Sequence, residues 1–474
     1  MTHIQKHRMA WTLGITSLAL FMVSLDNLVV TTALPVIRGD LHASISQLEW
    51  TVNAYTLTFA VLLLTGAALG DRFGRRRLFA LGLLLFTGAS AGAALATTAN
   101  QLDIARAVQG VGGAIVAPLT LTILSAGVPA ARRGLALGIW GGIGGLAVAL
   151  GPLVGGAVVS GVSWHWIFWL NVPIGLVLAP LAYARLDETR GADSSLDLPG
   201  LALVSVGLLG IVWGLVRGNA HGWTSLGIVA PIALGVLLVG AFVAWELRTE
   251  SPMLPMGFFR DRTFALTNVA SLLMFFGMFG SIFLLSQYFQ TVQGYSPLQS
   301  GLRILPWTAM PMIVAPIAGA LSDRVGGQRL MALGLTLQGA GLLWIAAVST
   351  PTAAYDSFVV PFVLSGIGMG LFFAPVANVV LSSVRRDQEG KASGANNAIR
   401  ELGGVFGVAV LASVFSSVGG YQSGEAFVHG MTIAVYIGGA FVLLGAVAAF
   451  LIRRRPVRGL APAELGAAVF AQES

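Results

Sequence analysis

Long apolar runs alternate with short polar breaks along the whole chain. Each run is long enough to cross a hydrocarbon layer of about 30 Å as an α-helix. Fourteen helices are expected, over about 11–36, 48–69, 78–98, 102–125, 135–159, 164–184, 199–216, 226–245, 263–288, 299–321, 328–349, 355–382, 394–417 and 430–452. No polar stretch is large enough for a soluble domain. The longest linkers, about 185–198 and 246–262, bracket the seventh and eighth runs. The expected organisation is therefore a six-helix bundle (1–185), a two-helix insert with its linkers (186–262), a second six-helix bundle (263–455) and a tail (456–474). The first run is too long for a cleavable signal peptide and is interrupted by Asp26-Asn27.

Composition agrees with an all-α membrane protein. Of 474 residues, 56% are hydrophobic and 10% charged, against about 25% charged in a soluble domain. The absence of cysteine excludes disulfides, Cys-ligated zinc and thiol chemistry. The six histidines show no metal-ligand spacing, so neither metal nor other cofactor is expected. No G-x-x-x-x-G-K-[ST] stretch occurs, which excludes a built-in P-loop ATPase. The clusters Gly110-Val111-Gly112-Gly113 and Gly141-Gly142-Ile143-Gly144-Gly145 lie in apolar runs and fit close helix packing better than nucleotide binding.

The net charge of +7 raises the question of nucleic acid, and the placement of the cations answers it. One set of loops and ends carries Lys6, Arg8, Arg72, Arg75, Arg76, Arg77, Arg132, Arg133 and further basic residues down to Arg458; the other has Arg38, Arg217 and Arg303. By the positive-inside rule both termini are expected in the cytoplasm. The partner of the positive charge is a lipid bilayer, and no nucleic acid is expected.

Within this apolar frame, Asp26 stands out. It lies about 22 Å along the first helix from Trp11. A carboxylate at that depth costs at least about 2.5 kcal/mol unless it faces water, meets a cation or is protonated. A titrating Asp26 would carry protons; the alternative is a tie between helices. Arg106, inside the fourth run, is its natural electrostatic partner, unless the guanidinium snorkels to the outer headgroups. The break Gly70-Asp71-Arg72-Phe73-Gly74-Arg75-Arg76-Arg77 combines topological charge with an ion-paired turn, and suits a latch between helix ends that separate. A related stretch, Gly319 to Gly326 with Asp323-Arg324, occupies the same place in the second half, as a parallel repeat requires. Gly151-Pro152 should bend the fifth helix, and Gly155-Gly156 should let another backbone approach. Arg400-Glu401 suits a structural role, ion-paired with each other or with the 385–391 loop. Asn27, Tyr55, Gln109, Phe279, Phe283 and Gln287 are candidates for the wall of a substrate cavity.

Taken in order, these motifs resemble the major facilitator superfamily, and within it the fourteen-span drug:proton antiporters. The signature G-x-L-x-D-R-x-G-R-R is matched at Leu69, Asp71, Arg72, Gly74, Arg75 and Arg76, with Ala67 at the leading Gly. Further matches are Arg106 to Gly112, the antiporter stretch Gly151-Pro152-Leu153-Val154-Gly155-Gly156 with Ala147 at its leading Gly, and Leu25-Asp26 with Ala33-Leu34-Pro35. Trp164 to Phe168, Asn171 to Gly175 and Gly294-Tyr295-Ser296-Pro297 with Gly301 and Pro306 extend the match over about 11–450. The resemblance implies two six-helix bundles around a central cavity. It implies no enzymatic activity, a monomer, and export of amphipathic small molecules, cationic ones included, driven by the proton gradient through Asp26. Export of one specific metabolite and proton symport are the alternatives within transport; a membrane scaffold or sensor is the alternative outside it.

Overall fold

The computed structural model describes residues 3–190, 197–385 and 388–452; the side chains at 3–7, 130–135, 137–138, 148–149, 323 and 390 lie outside that description. The described residues form fifteen α-helices and no strands. They are α1 His3–Leu41, α2 Ile45–Phe73, α3 Arg75–Ala94, α4 Ala99–Gly127, α5 Ala130–Gly161, α6 Trp166–Trp169, α7 Asn171–Arg185, α8 Leu198–His221, α9 Leu226–Glu246, α10 Arg262–Gln287, α11 Pro297–Val325, α12 Gly327–Val348, α13 Asp356–Ser382, α14 Glu389–Val418 and α15 Gly424–Phe450. Thirteen spans are long and apolar enough to cross a membrane, one of them α6 and α7 together; α5, bent, makes fourteen.

Every expected helix is present, and the differences lie at the ends. Many helices run past the apolar stretch into polar sequence, because hydropathy marks the part in lipid and not the end of the hydrogen-bonded ladder. Helix α3 begins and ends earlier than the expected 78–98. Gly74 takes φ 110°, a conformation costly for a side-chain-bearing residue, so α2 stops and α3 starts at once. At the other end the Thr98 hydroxyl accepts from the Gln101 amide and starts α4. The sixth run is two helices broken at Leu170. In α5, the segments Ile139–Ala147 and Leu150–Gly161 meet at 44°. Pro152 lacks an N–H for the carbonyl four residues earlier and its ring crowds that carbonyl, which places the bend there.

The two halves repeat each other. Ser44 and Gln47 form a reciprocal cap at the start of α2, and Ser296 and Gln299 form the same cap at the start of α11. Gly326, after α11, takes φ 101° and closes that helix as Gly74 closes α2, with its amide donating to the Ser322 carbonyl at 2.9 Å. Helices α1–α7 form one bundle and α10–α15 the other; they meet where α5 packs on α11 and α2 on α14. The insert, α8 with α9, lies against one of these seams. Leu208, Val212 and Val216 of α8 cluster with Leu57 and Val61 of α2 and Val405 and Ala409 of α14. Asn219 of α8 donates to the Ser413 carbonyl, and the Trp213 and Trp50 rings sit 5.9 Å apart.

Candidate functional site

The first half has a charged interior. Asp26 is 3% exposed and Arg106 wholly buried. Arg106 Nη1 donates to Asp26 Oδ2 as an ion pair. Gln109 Nε2 and Asn171 Nδ2 each donate to Asp26 Oδ1 at 2.7 Å, and both also reach Ser90 Oγ, at 2.7 and 3.3 Å. The remaining guanidinium contacts run to Gln109 Oε1 at 2.8 Å and to the Thr51 carbonyl at 3.1 Å, while the Tyr55 ring lies 4.2 Å from its carbon. Helices α1, α2, α3, α4 and α7 all contribute. Because Arg106 sits two turns into α4, the guanidinium reaches Asp26 across the bundle and does not snorkel outward.

Two of the cavity-wall candidates, Tyr55 and Gln109, take other places. Tyr55 donates to the Val23 carbonyl at 3.2 Å and stacks on Phe59, and Gln109 bridges Asp26 to Arg106; both belong to the charged network. Asn27, beside Asp26, keeps its buried carbonyl oxygen without a hydrogen-bond partner. Phe279 and Phe283 are buried on α10, and Gln287 accepts from the Tyr421 hydroxyl. Arg400 and Glu401 form no direct ion pair with each other, and part of the loop expected as their other partner, 386–387, lies outside the described residues. Arg400 bonds Asn397 Oδ1 at 3.2 Å and lies over the Phe275 ring, because neighbouring positions on a helix point about 100° apart.

The turn around Gly74 is tied to the segment after α7. Asp71 pairs with Arg75 at 2.7 Å. The Glu188 carboxylate accepts from the Arg76 amide at 3.0 Å and ion-pairs with the Arg76 and Arg77 side chains at 3.6 Å. It supplies the α3 N-terminus with the cap that Gly74 cannot. Arg72 lies over the Phe73 ring. In the second turn the Asp323 side chain lies outside the described residues, and Arg324 is engaged.

The glycines of α5 serve two contacts. A Cβ at Gly155 would lie 2.7 Å from the Val29 carbonyl oxygen of α1, and one at Gly156 would lie 2.7 Å from Leu298 Cα of α11. Gly151 faces Leu28, and Pro152 faces Gly301 of α11. At the same end Gln290 donates to the Thr32 carbonyl at 2.8 Å, the Leu298 amide to Ser160 at 3.0 Å, and Arg38 lies 3.5 Å over the Tyr421 ring. The halves are thus joined at the end away from the termini. The glycine clusters divide. Gly110 and Gly112 pack tightly on α2 and α3, whereas Gly141, Gly142 and Gly145 face open space below the α5 bend. An apolar groove of about 510 Å³ opens there between α1 and α5, with Ser17 as a polar lining residue. No group of His, Asp or Glu with metal-binding spacing occurs among the described residues.

The sequence reading missed Thr51, Ser90 and Asn171, whose signal was a polar residue inside an apolar run. It also missed Glu49, which is 2% exposed near the start of α2. Asp26 is therefore not the sole acid buried in this half.

Comparison with known proteins settles the family. The sequence model of the Major Facilitator Superfamily matches residues 16–408 and 267–472. The methylenomycin A resistance protein of Streptomyces coelicolor is 32% identical over 94% of this chain and 93% of its own length. The cephamycin export protein CmcT of Amycolatopsis lactamdurans is 37% identical over 84% and 83%, and the tetracenomycin C resistance and export protein of Streptomyces glaucescens 33% identical over 86% and 76%. An auto-inhibited peptide transporter of the POT family superposes with a TM-score of 0.69 at 14% identity, covering 96% of this chain and 99% of that one. The chain belongs to the major facilitator superfamily. It is a multi-pass protein of the bacterial inner membrane and a transporter, not an enzyme.

Proposed function

We propose that the chain exports amphipathic small molecules in exchange for protons, by alternating access. The single observation that supports the coupling site best is the buried Asp26–Arg106 pair, whose two charges hold each other inside an apolar bundle. Export is supported by the relatives, which include named antibiotic exporters and resistance proteins.

The bundles, residues 1–185 and 263–455, rock about their interface, with 186–262 as an insert and both termini in the cytoplasm. The arrangement described here is then the one open to the cytoplasm: α5 and α11 close the outer end, while Ala136 and Trp140 in the inner part of α5 pack within their own bundle, on α4. In this state Asp26 is ionised and paired. Opening of the outer end shifts α1 against α4, parts Asp26 from Arg106 and lets water deliver a proton to the carboxylate. Gln109 and the Thr51 carbonyl keep the guanidinium hydrogen-bonded meanwhile. Return to the inner-open state restores the pair and releases the proton to the cytoplasm as substrate binds. Asn27, Phe279, Phe283 and Gln287 line the path, and the Gly74 and Gly326 turns, with Asp71, Arg72, Arg75, Arg76, Asp323 and Arg324, latch its inner end. The unit is a monomer, and its energy source is the proton gradient.

The test is substrate flux from vesicles under an imposed pH gradient: accumulation against the concentration gradient should stop when the pH gradient is collapsed. Flux that ignores the gradient would remove proton exchange. A dedicated exporter of one metabolite is the second reading, favoured by relatives named for single antibiotics. A resistance profile of a susceptible host separates the two by breadth. An active periplasmic reporter fused at Ser474 would invert the proposed topology.

A further inference from the structure

Both Asp26 oxygens are occupied by partners within its own bundle. Another acid is not. Glu49 is 2% exposed, its Oε2 has no hydrogen-bond partner, and no ion pair among the described residues includes it. One turn further along α2, Asn53 is wholly buried, and neither atom of its amide is partnered. Unsatisfied groups of this kind are costly in a water-poor interior and call for a ligand.

Helical spacing puts Glu49, Asn53, Ala60 and Leu64 on one stripe of α2. The stripe faces the second bundle, since Leu64 meets Gly394 of α14. At the outer end the second bundle presents Tyr421, in the turn between α14 and α15. Further out, Leu57 and Val61 of α2 cluster with Val405 and Ala409 of α14, so the antiparallel register carries Glu49 to the outer end of α14, just before the Tyr421 turn. The Tyr421 ring already holds a cation on its face, Arg38 at 3.5 Å, and its hydroxyl is fixed on Gln287.

We propose that Glu49 and Asn53, covered by Tyr421, form a binding site for an organic cation with N–H donors, such as a protonated amine on the exported molecule. The assignment rests on the efflux reading and deepens it: Asp26 moves the proton, and Glu49 recognises the cargo. The carboxylate supplies the countercharge and the Asn53 carbonyl a second acceptor. The site lies at the end that is closed here, so it is exposed when α2 and the Tyr421 turn part, on the outward side of the path.

Ethidium and 6-phenylphenanthridine test this by calorimetric titration into the purified full chain in detergent. They share a ring system; the first is a permanent cation with N–H donors, and the second is neutral at pH 7. The unsubstituted chain should prefer ethidium by about tenfold or more, the value of one charge-assisted hydrogen bond, and Glu49→Gln should remove the preference while holding the neutral ligand within about twofold. Asn53→Asp added to Glu49→Gln moves the carboxylate one turn along the stripe and should restore it. Equal affinities in the unsubstituted chain, an undiminished preference in Glu49→Gln, or parallel loss of both ligands would each overturn the site. Ethidium efflux from vesicles keeps the two readings apart. Lost gradient-driven flux with the preference intact sinks the efflux reading, whereas intact flux without the preference sinks the site.

Discussion

The two bundles share their backbone devices and differ in what they bury. Both close their second helix on a glycine at positive φ and open it with a Ser–Gln cap. The first then fills its centre with Asp26, Arg106, Gln109, Asn171 and Ser90. The second fills its own with Phe275, Phe276, Phe283, Phe289, Phe358, Phe362 and Phe372; its hydrogen-bonded polar groups are Asn396, which donates to Asn268 and Ser271, each at 3.0 Å, and Arg400, which donates to Asn397 and lies over an aromatic ring, not beside a carboxylate. A duplicated scaffold needs matching helix ends to rock symmetrically. It does not need matching charge. In the proposed cycle the charged centre of the first bundle is the part that changes its protonation.

The sharpest way to break that contrast is Asp26→Asn. It should abolish gradient-driven flux. It also leaves a buried guanidinium unpaired, at a cost of about 3–5 kcal/mol, so thermal stability should fall as well. Adding Arg106→Gln removes the stranded charge. The double variant should regain stability and remain uncoupled, while Asp26→Glu, which still titrates, should keep part of the flux. Normal uphill flux in Asp26→Asn would move the proton site elsewhere. Next in size is the seam between the bundles. Gly156→Leu drives a side chain into Pro297 and Leu298, and overpacking of about 1–3 kcal/mol against the closed outer end should slow turnover about tenfold or more. Gly141→Leu, where the site is open, is the control, and equal effects would deny α5 its sealing role.

Smaller effects belong to the turn at Gly74. Glu188→Gln removes a partner of Arg76 and Arg77 from a partly exposed site, with an expected loss of about 1 kcal/mol in stability and a severalfold slower flux. Asp71→Ala, which frees Arg75, should slow transport more than Arg72→Ala, whose described contact is the Phe73 ring; the opposite order in a flux assay would reassign the latch. The smallest effect is reserved for the second bundle. Replacing Asn268 and Asn396 together by Leu removes both sides of a neutral contact, so stability should move by no more than about 1 kcal/mol and coupling not at all. Loss of coupling there would end the division of labour between the bundles.

The helices and the two-half arrangement were legible because an apolar run of span length has few other uses, and because motifs such as Gly74 and Pro152 act on the backbone directly. Pairing of Asp26 with Arg106 was readable too, since two isolated opposite charges in an apolar bundle have few alternatives. What stayed hidden depended on rotation about helix axes. Tyr55 and Gln109 read as cavity wall, and three-dimensional packing puts them in the bundle interior. Glu49 sits at the edge of an apolar run, where hydropathy alone gives it no role; the extra turn of α2 beyond that run draws it inward. Glu188 lay in a linker, where no periodic pattern points to its partner.

The insert gives the molecule a front and a back. Its helix α8 lies across the joint of α2 with α14 and is bonded through Asn219 to the second bundle, whereas no comparable strap is described across α5 and α11. In the proposed cycle α8 would travel with one bundle and slide over the other like the overlapping plate of an expansion joint. The α2–α14 flank lies under that plate, and a molecule entering sideways from the bilayer would meet an uncovered joint on the α5–α11 flank.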